Sequence, residues 1–162
     1  MTVILIDGPS GSGKTDLALR MRDRWVGADV PVVVHLDDVY PGWDGLDAAS
    51  EHIRQHLLEP LREGRSAGWQ RYDWTTGEPA EWRGVDPSHP LIVEGCGALT
   101  RRNAALADLT IWVETDDETR KARAIARDGE RYLREWDRWD AQWQLFVRRE
   151  SPRELATMIV PT

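Results

Sequence analysis

The chain has a single cysteine, Cys96, so it cannot close an internal disulfide. A reducing compartment, the cytoplasm, is the setting this predicts. Positive charge is not in excess: 21 Lys and Arg stand against 28 Asp and Glu, a formal net charge of −7. That balance disfavours a DNA or RNA backbone as partner, yet leaves room for a small anion held locally. Long apolar runs are missing too. Val3-Ile4-Leu5-Ile6 is far too short for a signal segment or a membrane span, and no membrane partner is expected. No repeat, low-complexity tract or linker divides the sequence, so residues 1–162 read as one domain. His35, His52, His56 and His89 lack the spacing of a metal site. Tryptophan is abundant instead, at nine residues, and reads mostly as core or pocket lining.

Short apolar runs alternate with helical patterns. Val3–Asp7, Pro31–Leu36, Leu91–Glu94 and Leu109–Glu114 read as buried strands, and Ala156–Val160 as a fifth. Lys14 to Trp25 reads as a helix with Leu17, Met21 and Trp25 on one face. Leu46 to about Leu61 reads as another, with Asp44 or Asp47 as N-cap and Pro60 kinking or ending it. Residues 64–90 read as a loop region with one short hairpin. Thr115 is placed to cap a helix running to Asp128-Gly129, with Asp116, Asp117 and Glu118 in its first turn. Glu130 to about Arg149 reads as a further helix with the core stripe Tyr132, Trp136, Trp139, Trp143 and Phe146. Strands alternating with helices imply a mostly parallel sheet covered on both faces.

The segment Gly8-Pro9-Ser10-Gly11-Ser12-Gly13-Lys14-Thr15 matches the pattern of a phosphate-binding loop. Glycines let the backbone curl so that successive N–H groups face phosphate oxygens. The helix beginning near Lys14 points its positive end at the same place. Lys14 adds a mobile cation for the β- and γ-phosphates, and the Thr15 hydroxyl is a magnesium ligand. ATP with Mg2+ is therefore the expected ligand, held by residues 8–15.

In an open α/β sheet the ligand lies beyond the carboxyl ends of the strands. Asp7, Asp37-Asp38 and Glu94 fall there. Phosphoryl transfer to a hydroxyl needs a proton acceptor and an acid near the metal. Asp37 is the candidate base and Glu94 the candidate metal acid. Asp7 reads as a structural partner of the loop, and Asp38 as either functional or a turn cap. Tyr40, Tyr72, Asp73 and Trp74 are candidates for contact with a polar, ring-shaped acceptor. Cys96, just beyond Glu94-Gly95, reads as a packed small residue.

The phosphate loop followed by Asp37-Asp38-Val39-Tyr40 resembles the uridine kinase and phosphoribulokinase group of P-loop kinases. Glu94-Gly95 is similar to that group's Glu-Gly step. Thr119-Arg120 with Arg123, Arg127 and Asp128 is similar to its arginine-bearing lid, and Ala156–Pro161 to its closing strand. The resemblance implies an α/β P-loop NTPase fold of three layers, with a five-stranded parallel sheet in order 2-3-1-4-5. It implies an aspartate base at Asp37, a substrate-contacting aromatic at Tyr40, and lid arginines Arg123 and Arg127 that stabilise the moving phosphoryl group. The group's Phe-Asp-His-Pro insertion is replaced by Tyr72-Asp73-Trp74. The expected activity is a small-molecule kinase. The alternatives are a nucleotide-dependent switch without an acceptor and a nucleic-acid end kinase.

Overall fold

The computed structural model describes residues 1–162. The chain opens with β1 (Val3–Asp7), the glycine loop, and α1 (Lys14–Asp23). Next come β2 (Val32–His35), a 3-10 turn at Leu36–Asp38, and α2 (Leu46–Ile53). A π-helical turn over Arg54–Leu58 leads into α3 (Glu59–Arg62). The hairpin β3 (Ala67–Asp73) and β4 (Glu78–Val85) follows, then β5 (Leu91–Glu94), α4 (Arg101–Ala104) and β6 (Leu109–Glu114). The long α5 (Asp117–Glu150), α6 (Pro152–Leu155) and β7 (Met158–Pro161) complete the fold.

Five strands form one parallel sheet in the order β2-β5-β1-β6-β7. With the separate β3–β4 hairpin set aside, this is the expected order 2-3-1-4-5. Alternation divides the central strands between two cores. Val3, Leu5, Leu91 and Val93 face the larger one, and Ile4, Ile6, Ile92 and Ile111 the smaller. Leu17, Met21 and Trp25 at α1 cover the smaller face. Residues of α2 and α5, including Leu46, Ile53, Trp139 and Trp143, pack into the larger. Parallel pairing sets His35 beside Glu94 and Ile6 beside Glu94, so the acidic strand ends share one rim.

Several boundaries differ from expectation for identifiable reasons. The helix from Leu46 does not run unbroken to Leu61. Pro60 has no N–H to donate, and the backbone widens to π-type bonding just before the turn that contains it. Neither Asp44 nor Asp47 caps α2, whose N-cap is Gly45 without a side-chain bond. Asp44 instead pairs with Arg138, and Asp47 with Arg149, both on α5. The cap of α5 is Asp116, which accepts from the Thr119 N–H at 2.8 Å, and not Thr115. The two helices expected over residues 115–149 are both present, as the two arms of α5. They meet at Gly129, where φ is 71° and ψ −156°. The hairpin is longer than expected because most of β4 is exposed and carries no apolar alternation to announce it. No helix is long and apolar enough to cross a membrane.

Candidate active site

The phosphate loop starts where β1 leaves the sheet. Gly11 and Gly13 take φ of 80° and 95°, values that side chains rarely adopt. The loop is pressed against its neighbours: a Cβ on Gly11 would lie 2.0 Å from the Arg120 carbonyl oxygen. Within the turn, the Ser12 N–H donates to the Pro9 carbonyl at 3.1 Å. Gly13 is the N-cap of α1 and offers no side-chain cap. The first-turn amides of α1, unpaired within the helix, are thus left to an anion. Lys14 folds over the loop, with Nζ donating to Pro9 O at 2.9 Å and to Cys96 Sγ at 3.7 Å.

Asp7 is fully buried beneath this loop. It accepts from the N–H groups of Gly8 at 2.7 Å, Gly97 at 3.2 Å and Leu99 at 2.8 Å. Burial pushes its carboxyl up to about 6, against the pull of those amides and of Lys14. Its role is structural: it joins the loop to the segment after β5. Cys96 packs in the same place. Its Sγ donates to Gly8 O at 3.3 Å, and burial pushes the thiol up to about 11, far from a nucleophile.

Glu94 is the buried acid at the loop's mouth. Its Oε1 accepts from the Thr15 hydroxyl at 2.9 Å and meets His35 Nδ1 at 2.6 Å. Burial opposes its charge, but the His35 bond and the nearby Lys14 hold the carboxyl below its ordinary range. The same bond to Glu94 raises His35. No cluster of three or more His, Cys, Asp and Glu residues forms a ready metal cage. The pairing of one hydroxyl with one carboxylate suits Mg2+, which takes few protein ligands and completes its shell with phosphates and water.

Asp37 lies in the 3-10 turn just past β2, open to the cleft but walled by protein. Desolvation raises its carboxyl, Glu94's charge adds to this, and Arg127 and Lys14 oppose it. Its carbonyl accepts from Trp74 Nε1 at 2.8 Å. Arg123 and Arg127 descend from the first arm of α5. Arg127 is paired with Asp128 at 2.7 Å, and Arg123 donates to the Thr162 hydroxyl at 3.3 Å.

One cleft of about 820 Å³ gathers Ser10, Gly11, Gly13, Lys14, Thr15, Asp37, Tyr40, Trp74, Glu94, Arg123 and Arg127. Tyr40 lines the cleft but is buried, packed edge-on against Trp139, and its hydroxyl donates to Cys96 O at 2.8 Å. Tyr72 and Asp73 are not among the lining residues. Asp73 accepts from the Thr75 and Thr76 N–H groups and caps the hairpin turn, and Tyr72 packs edge-on against Trp74. Asp128, named with the lid, also lines the cleft, and sequence reasoning missed other wall residues: His35, Arg131, Tyr132 and Trp139. Helical spacing had assigned Tyr132 and Trp139 wholly to the core. The only available signal was chemical, since Tyr and Trp carry a polar atom that a purely apolar stripe does not need.

The family model described as phosphoribulokinase / uridine kinase matches residues 43–151. That span begins after the phosphate loop, so motif and match are independent observations. The chain is 29% identical to a uridine kinase of Macrococcus caseolyticus, over 99% of this chain and 87% of the relative. It is 31% identical to uridine kinase-like protein 4 of Arabidopsis thaliana, over 78% of this chain but 30% of that longer protein. Among solved structures, a chain from Bacillus stearothermophilus described as a possible uridine kinase superposes with a TM-score of 0.65 at 20% identity, covering 98% of this chain and 88% of that one. A chain from Silicibacter sp. TM1040 reaches 0.68 at 17% identity, covering 99% and 89%. These two establish the P-loop fold. The chain belongs to the phosphoribulokinase / uridine kinase family and is a phosphotransferase that acts on a hydroxyl group.

Proposed function

We propose that this enzyme transfers the γ-phosphate of ATP to a hydroxyl of a small, ring-bearing acceptor, with a nucleoside such as uridine as the first candidate. The observation that carries the reading is the convergence of the loop, Asp37 and two lid arginines on one cleft. Its relatives are named as uridine kinases, which favours a nucleoside over other alcohols.

Each role follows from position. The amides of Gly11, Gly13, Lys14 and Thr15 would hold the phosphates, and the Lys14 ammonium would turn from Pro9 O to the β- and γ-oxygens. The Thr15 hydroxyl and Glu94 would hold Mg2+, which supplies charge neutralisation on the phosphate oxygens. Asp37 accepts the proton of the attacking hydroxyl, and desolvation and the charge of Glu94 raise its carboxyl above the ordinary value. Arg123 and Arg127 stabilise charge on the moving phosphoryl group. Tyr40, Trp43 and Trp74 offer aromatic surface to the acceptor ring, with Tyr72 and Asp73 supporting the hairpin behind them.

The test is a coupled ADP-release assay over nucleosides, sugars and pantothenate-like alcohols. Release that depends on one acceptor class, and on Asp37, supports the reading. Hydrolysis indifferent to every acceptor would instead mark a nucleotide-dependent switch.

A further inference from the structure

We infer that Tyr132 is a positioning residue that joins the acceptor wall to the phosphate loop, so that the two halves of the cleft close together. The inference rests on the nucleotide-site reading of the loop given above. Tyr132 begins the aromatic stripe of the second arm of α5 and shares the core of Trp143 and Phe146, but its hydroxyl reaches beyond that core to the phosphate loop. Its hydroxyl donates to Ser10 Oγ at 2.5 Å, across 122 positions of sequence. Both residues are buried. The ring lies 5.5 Å from Trp43, centroid to centroid, and Trp43 lies 5.1 Å from Trp74. Trp74 Nε1 in turn donates to the carbonyl of Asp37. A continuous chain of contacts therefore runs from Ser10 in the loop, through Tyr132, Trp43 and Trp74, to the backbone of the candidate base.

The same residue sits three positions beyond the bend of α5. At Gly129, φ is positive and a Cβ would meet nothing within 4 Å, so no neighbouring side chain crowds the bend. The second arm is anchored in the core by Trp136, Trp139, Trp143 and Phe146, and its near end adds two contacts to the cleft. Arg131 contributes one to the Trp74 carbonyl at 3.4 Å, and Tyr132 contributes the one that reaches the loop. If that near end moves away, the Tyr132 and Ser10 hydroxyls both lose their partner in a desolvated place. Ordering of the loop and docking of the arm share one free energy, and whatever orders the loop favours the closed acceptor wall.

Hydrogen–deuterium exchange tests this with Mg-ADP as probe. In the wild type, Mg-ADP should slow exchange in residues 8–15 and also in 129–136 and 72–77. In Tyr132→Phe, which keeps the ring and deletes the hydroxyl, protection of 8–15 should remain. Protection of the two distant segments should fall by about fivefold, the low end of coupling between sites. Ser10→Ala removes the same bond from the other side and should uncouple them equally. The double variant should be no worse than either single one, because all three lack the same bond; losses that add would mean the two hydroxyls act independently and would overturn the link. Equal distant protection in wild type and Tyr132→Phe overturns the inference and leaves the nucleotide site standing. Absence of protection at 8–15 in the wild type overturns the nucleotide site and the inference with it.

Discussion

Replacing Gly11 with alanine should damage the loop far more than the same change at Gly13, although both glycines have positive φ. At Gly13 the added Cβ would find its nearest neighbour 3.9 Å away, the Thr162 methyl, so only backbone strain is imposed. That strain is about 1–2 kcal/mol. At Gly11 the Cβ would lie 2.0 Å from the Arg120 carbonyl oxygen. Arg120 cannot easily retreat: it is buried, bonded to Asp117 and Asp140, and its guanidinium lies 5.2 Å from the Trp136 ring centroid. The loop must move instead, which adds about 1–3 kcal/mol of overpacking. Chemical denaturation of the ligand-free protein should place Gly11→Ala about 1–3 kcal/mol below Gly13→Ala. In a thermal melt that is a gap of several degrees, at about 2–4 °C per kcal/mol. Equal stability of the two variants would refute the claim that the loop is clamped between β1 and the first turn of α5.

Asp37→Asn should keep nucleotide affinity and lose about 10²–10⁴-fold in turnover, read by calorimetry beside the ADP-release assay. Turnover within a few fold of wild type would move the base elsewhere. Asp7 predicts a pH dependence. Its carboxyl rises from 3.8 to about 6 on burial, so ionising it within the fold costs about 3 kcal/mol. A raised carboxyl is no burden while protonated and becomes one as pH climbs through its folded value. The stability of wild type relative to Asp7→Asn should therefore decline by about 3 kcal/mol between about pH 4 and pH 7. A flat difference in urea titrations across that window would contradict the burial argument. Gly129→Ala should cost about 1–3 kcal/mol of pure backbone strain, because φ of 71° with ψ of −156° is open to glycine almost alone. A melting temperature unchanged by that substitution would mean the arm adopts another geometry in solution.

The central sheet was legible because its strands are uninterrupted apolar runs. Leu91–Glu94 and Leu109–Glu114 fall where the residues place them, since strands buried on both faces need no partner to reveal their character. The phosphate loop was legible because few sequences outside such loops space glycines and Lys-Thr in that way. The hairpin was not, because β4 is exposed and alternates charge, tryptophan and glycine without a period. At α5 the cap is one residue later than expected, Asp116 in place of Thr115. The cap of α2 was misread because capping competes with distant partners: Asp44 and Asp47 are drawn to Arg138 and Arg149, 94 and 102 positions away. Wall residues such as His35 and Tyr132 stayed hidden for the same reason. Their significance comes from Glu94 and Ser10, which only the folded chain sets beside them.

Titration of Mg-ATP into the wild type and Lys14→Ala by calorimetry puts the anion cradle at residues 8–15 to the most direct test. Saturable binding to the wild type, weakened at least about tenfold on loss of the ammonium, is the predicted result. Identical isotherms for the two proteins would contradict it.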